Sequence, residues 1–540
     1  WAALSSAPAQ SVIDIVFNGA QATVTIPSGV SDVTSTVSGA NVTITSTTTT
    51  REYTYRVSGS SDDGQLIING NYKLTLILAG IRLTNAHGGA AIDVECGKRI
   101  AVQLAPGTDN TLADAATGTQ KAALYFKGHP EFEGSGALHV TGRLKHAICA
   151  KEYLQLKSST GLIHILGAVA DGIHCGKGKP DTEHNYFQMD GGTVNIANVG
   201  SDDIDSDDYG VIRINGGALS VSVPDGGAGL KADSLLTINS GLVNIEVPGC
   251  DADALRADYA IRIKGGDIGI YVSGNGSKAL KSKCQTDATA TVRDGGAITI
   301  SGGRMRIEVL GDTYTSPTGD TSDCVAVAAD KTLTQTDGAV DILAMGQEAI
   351  PVKVEGEQNL SGGEWHITRL PWKIRTRDYA YDMTVYGVVA LNGRLLNDYS
   401  DKAVGAFIGD ECVGYGIFED TDYGTLRIRS NVSSSRQVTF KCYDYTTGKE
   451  TVLYTDTQVV FADQSVVGTP GYPIVLYSGQ FLRGDVNADG TVDISDVLCT
   501  VSHILGQPVP VFIRQAADMQ EDGTIDISDV LSIVDVILGR

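Results

Sequence analysis

Basic residues are scarce in this chain and nowhere clustered. Lys and Arg number 41 against 64 Asp and Glu, which leaves a formal net charge of −23. A nucleic-acid partner needs grouped cations to displace counterions from phosphates, so that class is excluded. Aromatic residues make up only 6 %, too few for the broad stacking platforms that hold crystalline glucan. No run of 18 apolar residues occurs, and no transmembrane segment is expected. The nine cysteines are scattered without CxxC spacing, which argues against a zinc site or a compact disulfide framework. Cys149, Cys175 and Cys324 sit among apolar neighbours and read as buried small hydrophobes. Charged residues are 19 % of the total, below the usual quarter, so the acidity reflects missing bases more than abundant carboxylates. The first residue is Trp1, so a processed or trimmed chain is expected, and a missing signal peptide says nothing against secretion.

Glycine is plentiful, at 64 of 540 residues. It recurs in a pattern: MDGGTVNI (189–196), INGGALSV (214–221), INSGLVNI (238–245) and IKGGDIGI (263–270). The first glycines of the pairs are Gly191, Gly216 and Gly265, with Ser240 in the equivalent place. A second marker runs in step, Gly172-Ile173, Asp203-Ile204, Gly229-Leu230, Ala254-Leu255 and Ala279-Leu280, at separations of 31, 26, 25 and 25 residues. Around each corner, apolar and polar residues alternate, which is strand periodicity. A period near 25 with short strands and glycine turns marks a β-solenoid. At about 3.3 Å per residue such a repeat closes a coil of roughly 80 Å, room for three strands and three corners. The expectation is an all-β chain built on a right-handed parallel β-helix over 1–371. Residues 1–60 are expected to supply capping strands, and 285–296 and 311–323 read as inserted loops.

The period disappears after residue 371. Strands such as 383–393, 424–430, 436–444 and 451–461 joined by polar turns suggest an immunoglobulin-like β-sandwich over 372–480. Residues 481–540 change character again. Asp485, Asn487, Asp489, Thr491, Asp493 and Asp496 occupy positions 1, 3, 5, 7, 9 and 12 of a loop with Gly490 at position 6. Alternate side chains of such an EF-hand loop converge on Ca²⁺, position 7 offers its backbone carbonyl, and the glycine makes the sharp turn. A second copy supplies Asp518, Gln520, Asp522, Thr524, Asp526 and Asp529. Amphipathic helices are expected after each, at 497–506 and 530–539.

This pair of loops, 33 residues apart, resembles a type I dockerin. The resemblance implies structural calcium and a cohesin partner on a scaffold or cell surface. It places the cohesin contacts at Ile494 and Ser495 and, in the second copy, at Ile527 and Ser528. Gln520 departs from the usual Asn or Asp at position 3, which implies a weaker second site.

Within the solenoid, Asp171 lies in one coil, Asp202, Asp203, Asp205 and Asp207 in the next, and Asp251 and Asp253 two coils later. Stacked coils bring such carboxylates together, either as a Ca²⁺ site or as a solvated acidic corner. The stretches at 64–94, 105–114 and 170–174 resemble a family of bacterial carbohydrate-binding β-helices with a pectate-lyase-like fold. That resemblance implies calcium and binding, rather than cleavage, of plant polysaccharides including acidic pectins. Bound cations would reconcile the −23 charge with a polyanionic ligand.

The expected function is a secreted or cell-surface, non-catalytic, calcium-dependent polysaccharide-binding protein tethered through its dockerin. One alternative is a pectate lyase on the same scaffold, with Arg256 as base. The other is a structural rod, an adhesin or assembly subunit.

Overall fold

The computed structural model describes residues 12–176, 184–284, 295–418 and 423–540. Residues 1–11 of the expected cap and 285–294 of the expected loop therefore lie outside the described residues. The chain divides into two compact units, Trp1–Ala344 with Glu348–Thr368, and Met345–Gln347 with Arg369–Arg540.

In the first unit each repeat adds one strand to each of three parallel lanes. One lane runs Ile173–Cys175, Ile204–Ser206, Ala228–Ala232, Asp253–Ala257 and Lys278–Ser282. Its register pairs Ile173, Ile204, Leu230, Leu255 and Leu280 in order. The second lane includes Tyr186–Met189, Val211–Ile214, Leu235–Ile238 and Ala260–Ile263, and the third Thr193–Ile196, Ala218–Ser222, Leu242–Val247 and Asp267–Val272. The first lane belongs to a sheet of 13 strands, and the other two join in one of 22. Alternation sends every second side chain to a shared core, where Ile204, Leu230, Leu255 and Leu280 are fully buried.

The second glycine of each corner is the one the backbone requires. Gly217, Gly241 and Gly266 have φ of +87°, +105° and +95°. A Cβ at Gly217 would stand 2.6 Å from the Gly192 carbonyl oxygen of the preceding repeat. The first place accommodates Ser240 because no left-handed backbone is needed there.

At the N-terminal end the pairing changes. Val12–Asn18 and Gln21–Thr25 form an antiparallel hairpin, as do Val33–Ser38 and Asn41–Ser46. Val12–Asn18 also pairs in parallel with Tyr53–Ser61, and Asn41–Ser46 with Gln65–Asn69. The insertion at 311–323 carries a small antiparallel pair, Tyr314–Thr315 with Thr321–Ser322.

The second unit contains a nine-stranded, largely antiparallel sheet and a separate two-stranded ribbon of Ser434–Gln437 and Val460–Ala462. Phe461 of the ribbon shares a buried core with Val385, Leu426 and Phe440 of the large sheet. Three helices follow, α1 (Ile494–Ile504), α2 (Arg514–Ala517) and α3 (Ile527–Ile537). Helices α1 and α3 begin three residues before the expected points, because Asp493 and Asp526 cap them. Each cap accepts from a backbone N–H of the first turn, and Asp496 and Asp529 accept in return from the cap residue's N–H. Val486, Ala488, Ile513 and Ala516 share a core with Val388, Ala390 and Tyr477 of the sheet. No described helix is long and apolar enough to cross a membrane.

Candidate functional site

The 13-stranded sheet positions an outward column. Successive strands align Asp93, Tyr125, Cys149, His174, Asp205, Lys231, Arg256 and Lys281. These residues alternate with core side chains and face away from the core, yet His174 and Asp205 are buried. The column thus concentrates ionisable groups in a setting of low polarity, where pairing decides which charges survive.

At the middle of the column His146, Asp171 and His174 meet. Asp171 Oδ2 lies 3.0 Å from His146 Nδ1 and 3.1 Å from His174 Nδ1. His174 Nδ1 is also 3.0 Å from Asp205 Oδ2. The two imidazoles stack, with centroids 4.4 Å apart and planes 14° from parallel. Lys231 Nζ donates to Asp202 Oδ2 at 3.1 Å and to Asp205 Oδ1 at 3.0 Å. Burial disfavours charge throughout, but at His174 the two carboxylates outweigh it and raise the imidazole to about 9. At Asp171, likewise, the histidine bonds overcome burial and hold the carboxyl well below its usual range. Burial wins at His146, which is lowered, and at Asp202, which is raised to about 6.

The expected aspartates therefore separate into three settings. Asp171, Asp202, Asp205 and Asp207 come together around His174 and Lys231. Asp203 does not join them. It occupies the register place of Gly172 and Gly229, where a Cβ meets core side chains of Ile196, or of Ile245 and Val221. Its fully buried carboxylate has no hydrogen-bond partner among the described residues, and burial raises it well above the usual range. Asp253 pairs with Lys281 at 3.0 Å, while half-exposed Asp251 accepts from Ser322 Oγ at 2.6 Å. Arg256 lies 3.9 Å from Asp253 and 3.6 Å from Asp258, an ion-paired placement. His146, His174 and Lys231 were not singled out from the sequence. The 25-residue step from His146 to Asp171 is the signal that links the first of them to the cluster.

Further along the same column a cleft of about 620 Å³ opens beside Tyr125. Asp93, Glu95, Lys121, Lys127 and Lys151 line it, with His87 and Gln120. Tyr125 and Ala90 also line it, and with Ala122 and Cys149 they form a small apolar cluster apart from the main core. Burial raises Asp93 to about 6, with Glu95 adding to the shift. On another lane His129, Tyr153 and Tyr186 form a stacked column, with centroids 4.6 and 4.5 Å apart, and Arg213 lies over Tyr186 at 5.1 Å.

The C-terminal loops are built locally. Asp485 Oδ1 accepts from Asp489 N and Oδ2 from Gly490 N, while Asp496 Oδ1 accepts from Val486 N. The second loop repeats these bonds with Asp518, Asp522, Gly523, Asp529 and Met519. Asp485 and Asp496 are buried beside one another's charge, which raises Asp485 to about 6. Such crowded oxygens fit a hard divalent cation. Asn487 Nδ2 donates to Asp489 Oδ2 and to Ser495 Oγ, whereas the Gln520 side chain stands exposed. Ile494 and Ile527 are 65 % and 62 % exposed, unusual for isoleucine and suited to a partner surface.

Two family models match the chain. That of carbohydrate-binding domain-containing proteins covers residues 38–317, and that of the dockerin type I domain covers 483–538. A carbohydrate-binding domain-containing protein of Acetivibrio thermocellus is 26 % identical over 112 residues, which are 19 % of this chain and 39 % of that protein. The chain thus spans well under half the length of that relative. A solved structure described as a polysaccharide lyase-like protein from C. thermocellum aligns over 66 % of this chain and 98 % of its own, at 16 % identity and a TM-score of 0.27.

Proposed function

The chain belongs to the family of carbohydrate-binding domain-containing proteins, and from that premise we propose that its first unit binds an acidic polysaccharide such as pectin without cleaving it. In this reading the three lanes are the walls of a right-handed parallel β-helix. The cleft beside Tyr125 carries the proposal, because Lys121, Lys127 and Lys151 line one opening in a chain otherwise short of bases. Lysine ammoniums there meet uronate carboxylates, and Tyr125 offers an apolar floor to a sugar face. Calcium bridges the remaining surface carboxylates to the polyanion. Arg256, held between carboxylates, serves charge pairing rather than proton abstraction.

The dockerin type I domain tethers the protein outside the cell. Asp485, Asn487, Asp489, Thr491, Asp493 and Asp496 would hold one calcium ion, and Asp518, Gln520, Asp522, Thr524, Asp526 and Asp529 a second. The ions supply the charge that lets the buried carboxylates pack. Ile494 and Ser495, with Ile527 and Ser528, face a cohesin.

The test is affinity electrophoresis in polygalacturonate gels, with Ca²⁺ and with EDTA, while unsaturated uronides are followed by absorbance. Calcium-dependent retardation without absorbance supports binding. Rising absorbance makes the protein a lyase and Arg256 the first residue to replace. No retardation in either buffer removes pectin as the ligand.

A further inference from the structure

Asp93 stands out in the lysine-lined cleft because one of its oxygens is left without a partner. In register it lies between Ile67, which is apolar, and Tyr125. Its Oδ1 is closed to solvent and accepts no hydrogen bond among the described residues. The side chain as a whole is half-buried and lines the cleft. A carboxylate with one oxygen neither solvated nor bonded favours its protonated form. The neutral acid then carries an O–H that it can donate.

The other charges facing this place are Glu95 on the same strand, Lys121 and Lys127 flanking the Tyr125 strand, Lys151 and His87. Lys127 Nζ pairs with Glu95 at 3.0 Å, and His87 Nδ1 with Asp63 at 2.5 Å. Lys121 Nζ lies 5.8 Å from the Tyr125 ring centroid. Neither Lys121 nor Lys151 pairs with a carboxylate among the described residues. Two ammoniums are thus left to attract an anion, and Asp93 lines the same opening. Burial and Glu95 both resist ionisation of Asp93, and Lys127 opposes them only in part. An arriving carboxylate adds negative charge, which holds the proton more firmly. It also accepts from the acid O–H, a charge-assisted bond of the strong kind.

We propose that Asp93 is a specificity-determining residue of the cleft, donating its carboxyl proton in a hydrogen bond to the ligand's carboxylate while Lys121 and Lys151 balance the charge. The inference rests on the acidic-polysaccharide reading and adds to it a choice among sugars and a dependence on pH. A neutral sugar gains nothing from the two ammoniums, and an ionised Asp93 repels a uronate. Binding therefore takes up a proton from solvent wherever the free carboxyl has lost its own. That proton stays on Asp93, and no covalent bond of the ligand changes. Affinity for a uronate accordingly falls as pH rises beyond the range in which free Asp93 is neutral.

The test is calorimetric titration of oligogalacturonate into the calcium-loaded full chain at pH 5 and pH 7.5. Each titration is run in two buffers of different ionisation enthalpy, so that protons taken up are counted. Uronate carboxyls stay ionised at both pH values. The expected result is at least about tenfold weaker binding at pH 7.5, with uptake approaching one proton per ligand. A neutral galactose oligosaccharide should bind at least about tenfold more weakly at pH 5 and take up no proton. Asp93→Asn, which keeps a neutral donor, should bind oligogalacturonate equally at both pH values without proton uptake. Asp93→Leu, which removes charge and donor together, should lose the pH dependence and bind about tenfold more weakly than Asp93→Asn. His87→Gln should keep the wild-type slope, because His87 faces Asp63. If the leucine variant does not fold, the asparagine variant decides. Wild-type binding without proton uptake, uptake that survives in Asp93→Asn or vanishes in His87→Gln, or equal affinity for the neutral sugar would overturn the role of Asp93 and leave polysaccharide binding standing. No binding at either pH would remove both.

Discussion

Asp485, Asp489 and Asp496 meet within one twelve-residue turn, whereas His146, Asp171, His174 and Asp205 are linked in a chain only because strands 25 and 31 residues apart stack in register. The first gathering is held by backbone N–H groups of its own loop. The second is held by ion pairs between its own side chains and by Lys231 on the next rung. A local site of this kind depends on its ion, because little else offsets repulsion among its carboxylates. A cross-rung site rests on a core already formed, so its ion pairs add to a fold that stands without them.

Calcium removal should break the comparison most visibly. In EDTA, amides of α1 and α3 should lose all protection from hydrogen exchange, while those of Ile204 and Leu230 keep theirs. Equal loss in both units would erase the distinction. Next in size is Asp171→Ala, which strips the shared partner from two buried histidines. It should cost about 3–5 kcal/mol in denaturant unfolding of the first unit and leave the dockerin's calcium affinity unchanged.

Asp93→Asn should act in the opposite sense. The folded carboxyl keeps its proton up to about pH 6, the unfolded one only to about 3.9. Between those values the folded state binds more protons, so stability falls as pH rises through the window. The asparagine variant should therefore gain about 1–3 kcal/mol at pH 7 and nothing near pH 3.5, as read by thermal unfolding at both pH values. The smallest effect sharpens the local side. Gln520→Asn should tighten the second calcium several-fold, by about 1 kcal/mol in a calcium titration, and Asn487→Gln should weaken the first by a similar amount.

What was legible in the sequence follows the same division. The calcium-type loops could be read from spacing alone, because every donor lies within twelve residues of the first. The lanes could be read from the period, since Ile173, Ile204, Leu230, Leu255 and Leu280 pair as the markers align them. The cluster at His174 could not. Adjacency suggested that Asp202, Asp203 and Asp205 act together, but the chain bends at this corner and turns Asp203 into the core. Helix starts were placed late because Asp493 and Asp526 were read only as ligands, when they also cap.

The most direct test of polysaccharide binding at the cleft is a calorimetric titration of oligogalacturonate into the wild-type chain and the Lys127→Ala/Lys151→Ala variant. The expected result is saturable heat for the wild type and at least about tenfold weaker binding, roughly 1.4 kcal/mol, for a variant with unchanged melting. Equal affinity in both proteins would contradict the assignment of the ligand to this cleft.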